Sequence, residues 1–148
     1  MKAMTVVHQE LEIHQLKKPY AACRLPAGDL SNLKLSMEAV GQLVPIVVAQ
    51  EKDGGLVLLD GHRRVSVLHK CAQDTVYAEV WHCEAGDGAI ALLARMGGRQ
   101  WDCLEEGLLM LRLMEDEGLK AGEIAARMGR SPSWVRTRVQ LVQELPAE

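Results

Sequence analysis

The sequence predicts an α+β protein: a small mixed α/β domain over residues 1–100, then an all-α helix-turn-helix domain over residues 101–148. Three observations carry this. β-Branched apolar runs alternate with helical patterns through the first hundred residues, and strand signals cease after Arg99. The segment from Glu123 to Val135 has the spacing of two short helices joined at a glycine. Composition agrees with a packed chain: of 148 residues, 48% are hydrophobic and 25% charged, which excludes disorder.

The elements follow in order. Glu10-Leu11-Glu12-Ile13-His14-Gln15-Leu16 alternates polar and apolar residues and predicts a half-buried strand that Pro19 ends. Ser31 or Asn32 caps a helix reaching about Gly41, with Leu35, Met37 and Val40 as its apolar positions. Pro45-Ile46-Val47-Val48-Ala49, the turn Asp53-Gly54-Gly55 and Leu56-Val57-Leu58-Leu59 predict a hairpin. At Asp60-Gly61 the second strand breaks into a helix from Arg63 to about Lys70. A further strand is expected over Thr75–His82, then a helix over Gly88–Met96 capped by Asp87 and stopped by Gly97-Gly98.

Beyond residue 100, Asp102 precedes a helix over Leu104–Glu117. Its apolar face holds Leu104, Leu108 and Leu111, flanked by Leu109, Leu113 and Met114. Glu105 and Glu106 fall in its first turn, favourable for the helix dipole, and Gly118 ends it. Short helices over Ala121–Met128 and Pro132–Leu145 follow, separated by Gly129-Arg130-Ser131.

Several function classes are excluded by composition. The longest apolar run, Ala89–Ala94, is six residues, too short for a membrane span. Met1–Val7 lacks a signal-peptide core, so a cytoplasmic protein is expected, with no membrane partner. A net charge of −3 excludes a nucleic-acid binder that relies on bulk basicity, and 3% aromatics with no Phe excludes a base-stacking platform. Cys23, Cys71, Cys83 and Cys103 form no Cys-x-x-Cys pair and read as reduced core thiols. His69-x-Cys71 with His82-Cys83 lacks zinc-ligand spacing, so no metal site is expected.

The tail carries the features of a DNA reader. Ala125 permits close helix approach, Gly129 suits a left-handed turn, and Val135 closes a small core with Ile124 and Met128. Ser131 is the expected N-cap and Pro132 the first helical residue. Helix-turn-helix proteins present the start of such a second helix to the major groove. Ser133, Arg136, Thr137 and Gln140 fall on its outer side, while Arg130 and Arg138 are placed for phosphates or, for Arg138, a base edge. Trp134 is expected to be partly buried. Residues 118–148 carry net charge +2 against −5 for the remainder, so attraction to duplex DNA is local to the tail. A helical hairpin used only for packing is the alternative.

Asp60-Gly61-His62-Arg63-Arg64 lies where a strand becomes a helix, and two readings fit it. Backbone N–H groups, a close-approach glycine and two guanidiniums suit an anion. Alternatively, Asp60 caps the helix and the arginines are solvated.

The order Gly41-Gln42-Leu43-Val44-Pro45-Ile46-Val47-Val48, then Leu58-Leu59-Asp60-Gly61-His62-Arg63-Arg64, then the helix from Leu104 and the helix-turn-helix, resembles ParB-type partition proteins. The resemblance runs from about residue 10 to Pro146 and implies a ParB/sulfiredoxin-like first domain. It implies CTP as cofactor, with Gln42 and Pro45 near the nucleotide and Gly61, Arg63 and Arg64 on its phosphates, His62 replacing the family's glutamate. It also implies a homodimer that binds a palindromic duplex site, associated with nucleoid or plasmid. Two departures modify these expectations. The family's Glu-Asn-x-x-Arg motif falls at Ala94-Arg95-Met96-Gly97-Gly98-Arg99, without carboxylate or amide and with Arg99 one position out of register. Magnesium thus loses a natural partner and CTP hydrolysis is not expected. The basic N-terminal arm and the family's later dimerisation domain are absent from the sequence, so a ParA-type ATPase partner is not expected either.

The same superfamily contains sulfiredoxins, whose cysteine is replaced here by His62, and a free-serine kinase whose Asp-Gly-His turn is similar to Asp60-Gly61-His62. Sequence-specific binding of double-stranded DNA is therefore the leading reading. A kinase-like or nuclease enzyme using His62 and Asp60 is the alternative.

Overall fold

A computed structural model describes residues 4–24, 31–42, 44–96 and 102–144. It forms two compact units, residues 1–21 with 26–85 and residues 22–25 with 86–148. The division falls before residue 100, because the helix preceding that point groups with the later helices rather than with the sheet.

The first unit is a five-stranded mixed sheet. β1 (Thr5–Glu12), β2 (Leu16–Lys17), β3 (Ile46–Gln50), β4 (Leu56–Asp60) and β5 (Thr75–His82) lie in the order β1-β5-β3-β4-β2. β1 runs antiparallel to β5, β3 antiparallel to β4, and the β3/β5 and β2/β4 pairs are parallel. Val76, Ala78 and Val80 point into the core while Thr75 and Tyr77 are exposed, which is the period of a sheet with one covered face. Ile46, Val48, Leu58 and Val65 complete that core, with Leu68 packed against it. α1 (Ser31–Val40) and α2 (His62–Lys70) pack on one another, and α2 lies against β3.

The expected strand over Glu10–Leu16 is a correction. The chain is already in β1 from Thr5, breaks into a 3-10 turn at Ile13–Gln15 and re-enters the sheet at its opposite edge as β2. Leu11, Ile13 and Leu16 are all buried, so the alternation identified core residues but not the bend between them. β1 escaped notice because it is an edge strand, exposed at every residue but Leu11. In α1 the inward row is Leu33 and Met37, four apart, whereas Leu35 is 63% exposed. The side chain of Val40 lies outside the described residues.

The second unit holds most of α3 (Ala85–Met96), then α4 (Cys103–Glu117), α5 (Ala121–Met128) and α6 (Pro132–Gln143). α3 starts before the expected Gly88, and Asp87 does not cap it but lies within its first turn. The helix opens instead where the Ala85 N–H donates to Glu51 Oε2 at 3.0 Å, a partner distant in sequence. Asp87 faces Arg127 of α5 at 3.0 Å. Gly97, Gly98 and Arg99 lie outside the described residues, as does Leu145, the expected end of the last helix.

α4 begins one residue earlier than expected, with a reciprocal cap. Asp102 Oδ1 accepts from the Glu105 N–H at 2.9 Å, and the Asp102 N–H donates to Glu105 Oε1 at 3.3 Å. Its fully buried row is Leu109, Met110 and Leu113; Leu104, Leu108 and Leu111 are only half-buried, a shift of the expected face. Gly107 explains how α6 reaches α4: a Cβ there would stand 2.5 Å from the Arg138 carbonyl and 2.6 Å from Val142 Cγ2. Ile124, Ala125, Val135 and Val139 fill the space between α5 and α6. Among the cysteines only Cys23 is in the core. Cys71 and Cys83 are half-buried and Cys103 exposed, which corrects the core reading for three of them; all four are free thiols. Burial pushes the Cys23 thiol up from its ordinary value.

Candidate nucleic-acid interface and phosphate turn

β4 delivers Asp60 into the core, only 4% exposed. The next residue, Gly61, has φ +106°, and a Cβ there would overlap Ile46 Cγ2 with the Ile46 Cβ at 2.9 Å. Glycine is thus required twice, by backbone conformation and by space. α2 begins immediately, its first backbone bond running from the Val65 N–H to the Gly61 carbonyl at 2.9 Å. The N-cap residue is Gly61 itself, which has no side chain to offer, and no acidic residue lies in the first turn. Of the alternative reading it is the solvated Arg64 that is corrected: Asp60 Oδ2 lies 3.5 Å from Arg64 Nη2, and the guanidinium is largely buried. An aspartate at a strand end is drawn under an arginine one helical turn on, because a buried carboxylate needs a cation.

His62, Arg63 and Arg64 are all half-buried. Arg64 Nη1 donates to the Val44 carbonyl at 3.2 Å, so this guanidinium serves the chain at both ends. Gln42 is engaged as well. Its Nε2 donates to the carbonyls of Val44 (2.9 Å) and Tyr77 (2.8 Å), and its Oε1 accepts from the Tyr77 N–H at 2.8 Å. Pro45 is half-buried just ahead of β3. The residues named from sequence at this turn thus fall on one loop, one strand end and one helix start of the sheet unit. The fastening of Gln42 and Arg64 to backbone was not legible, since neither partner is a side chain.

In the helical unit, Ala125 and Ile124 are fully buried and Gly129 takes φ +69° with nothing within 4 Å of a Cβ there. The Arg130 N–H donates to the Ala125 carbonyl at 2.9 Å, closing α5. Ser131 Oγ accepts from the Trp134 N–H at 3.2 Å and Pro132 is the first residue of α6. Val135, Val139 and Val142 face inward. Ser133, Arg136, Thr137 and Gln140 are exposed along the other side, with Arg130 and Ser131 exposed at the turn.

Trp134 is half-buried, as expected, and organises two arginines. The Arg130 guanidinium carbon lies 4.8 Å from the ring centroid and that of Arg138 4.0 Å. Arg138 Nε is 3.6 Å from Glu106 Oε1, so Arg138 is turned toward α4 rather than set on the rim with Arg136. Glu106, which the sequence pattern marks only as a partner of the helix dipole, is also the buried anchor of Arg138. Burial pushes its carboxyl up, with Arg138 and then Arg130 pulling the other way. Glu105 makes a parallel pair, its Oε2 3.2 Å from Arg24 Nε. Among the described residues no group of three or more His, Cys, Asp or Glu side chains is placed to hold a metal ion, and no helix is long and apolar enough to cross a membrane.

Comparison with known proteins places this arrangement. Nucleoid occlusion proteins of Geobacillus sp. (strain WCH70) and Bacillus mycoides (strain KBAB4) are 25% and 27% identical to it over 120 residues, 80% of this chain. The chain spans only 42% and 41% of their lengths. In fold it is similar to a Pnob8-like ParB-N domain, with TM-score 0.62 and 16% identity over 80% of this chain and 49% of that one. It is also similar to the C-terminally truncated chromosome-partitioning protein ParB from Caulobacter crescentus complexed with CTP-γ-S. That match has TM-score 0.51 and 26% identity over 95% of this chain and 80% of that one. The ParB N-terminal domain model matches residues 1–95, covering the whole sheet unit, and the chain belongs to that family.

Proposed function

We propose that this chain binds double-stranded DNA sequence-specifically through α6, as a ParB-type protein associated with the nucleoid or a plasmid, and that CTP held at the Gly61–Arg64 turn modulates the binding. The single observation that carries the DNA reading is the rim of α6. Ser133, Arg136, Thr137 and Gln140 form an exposed polar row, begun by a capped turn that carries Arg130. Such a row fits a major groove, where an arginine pairs with guanine and hydroxyls or amides read other base edges. Arg130 at the turn suits a phosphate. Thr137 Oγ1 donates to the Ser133 carbonyl at 2.8 Å and Gln140 Nε2 to Glu144 Oε1 at 3.0 Å, internal bonds that hold both side chains along the helix. One such helix per subunit reads a half-site, so a homodimer on a two-fold duplex site is the natural assembly.

The nucleotide reading is supported by the donor set at α2. A helix start at a glycine N-cap, with Arg63 and no acidic residue in its first turn, suits a triphosphate. Bound CTP supplies the negative charge that this end stabilises. The kinase-like and nuclease alternatives are less well supported, because Asp60 is held under Arg64 and lies in the core. The test is a mobility-shift titration of an enriched duplex site. Arg136→Ala and Ser133→Ala should each weaken specific binding by about 1–3 kcal/mol, and full affinity in both variants would remove α6 as the reading helix.

A further inference from the structure

We infer that Gln42 and Arg64 are positioning residues: they fasten the Val44 carbonyl to β5 and α2, and so set the mouth of the turn in which Arg63 and the start of α2 meet an anion. This rests on the nucleotide reading and deepens it.

β3 begins at Ile46, opposite Ala78 in a parallel ladder. One residue earlier on β5, Tyr77 lies beyond the last β3 rung, and its N–H and C=O both bond to the Gln42 side chain at 2.8 Å. The carboxamide thus stands in for one more peptide unit of β3. Its remaining hydrogen goes to the Val44 carbonyl at 2.9 Å, so both amide hydrogens have acceptors within the protein. The same carbonyl accepts from Arg64 Nη1 at 3.2 Å, while Arg64 Nη2 stands 3.5 Å from Asp60 Oδ2. A continuous path therefore runs from the backbone of β5 through Gln42, the Val44 carbonyl and Arg64 to the end of β4. Both terminal nitrogens of Arg64 are thus engaged within the protein, one by the Val44 carbonyl and one by Asp60. Arg63, the neighbouring residue, leaves the helix about 100° further round.

The experiment measures amide hydrogen exchange at Tyr77 in the full, ligand-free chain, and CTP affinity by calorimetry, for wild type, Gln42→Ala, Arg64→Ala, the double variant of these two, Arg64→Lys and Arg63→Ala. Gln42→Ala and Arg64→Ala should speed Tyr77 exchange on the order of tenfold, with Arg64→Lys between them and wild type. Arg63→Ala should leave that rate unchanged yet abolish CTP binding. The losses of CTP affinity in Gln42→Ala and Arg64→Ala should overlap rather than add when combined. Unchanged Tyr77 exchange in Arg64→Ala, or affinity losses that add in full, would overturn the inference. If Arg64→Ala leaves Asp60 buried without its cation and does not fold, wild-type exchange in Arg64→Lys and Gln42→Ala overturns it equally. Wild-type protein that binds no CTP, while the exchange pattern holds, supports the fastening and overturns the nucleotide reading alone.

Discussion

The starts of α2 and α6 solve the same problem in opposite ways. Each follows a left-handed glycine, Gly61 or Gly129, and each is proposed to meet an anion, a nucleotide at α2 and a DNA backbone at α6. α6 closes its first turn with local chemistry, Ser131 as cap and Pro132 with its fixed φ, and stands in solvent. α2 starts at a glycine N-cap and is held by burial, with Gly61 pressed on Ile46 and Asp60 tied to Arg64. A helix end whose own residues satisfy it tolerates exposure and tolerates change. One that begins at a buried strand end depends on that strand and on the loop beside it.

The largest expected effect breaks this contrast directly. Gly61→Ala should cost about 2–4 kcal/mol, from the positive φ together with overlap against Ile46. Gly129→Ala has open space and should cost only about 1 kcal/mol from its φ; urea midpoints of the two variants would show equal costs if burial were irrelevant. Next is ligand separation. Arg136→Ala should lose about 1–3 kcal/mol of DNA affinity without changing CTP binding in the absence of DNA, whereas Arg63→Ala should remove CTP binding and leave the bare DNA affinity in place. Calorimetry and mobility shifts on both variants check this. Ser131→Ala should cost about 1 kcal/mol of stability, read from thermal unfolding, because one N–H of α6 loses its acceptor.

The smallest effect concerns Glu106, where the folded-state carboxyl is raised by burial. The native state then holds its proton to higher pH than the unfolded chain, so this group's contribution is full below the ordinary glutamate range and is lost as pH rises through the raised value. Wild-type stability relative to Glu106→Gln should therefore fall from weakly acidic to neutral pH. An opposite trend in paired urea titrations would show that Arg138 outweighs burial.

What could be read from sequence tracks how local the determinants are. Thr75–His82 alternates cleanly because one face is covered, and its bounds were legible to the residue, as was α5, which ends at a glycine. The hairpin of β3 and β4 followed from β-branched runs around Asp53-Gly54-Gly55. β1 was misplaced because an exposed edge strand has no buried stripe to show, and α3 because its N–H partner, Glu51, is remote in the chain. At the candidate sites, Ser131, Pro132 and the outward row of α6 follow from helical period alone. The ties of Gln42 to Tyr77, Arg64 to Val44 and Arg138 to Glu106 are tertiary, and no spacing rule connects them.

The most direct test is selection from a random duplex pool with the full chain, followed by sequencing, with and without CTP. The wild-type protein should enrich one two-fold-related motif that responds to CTP, and Arg136→Ala should lose that motif while folding normally. A pool that shows no enrichment at low salt, or the same motif retained when Ser133 and Arg136 are both replaced by alanine, would contradict the assignment of α6 as a reader of duplex DNA.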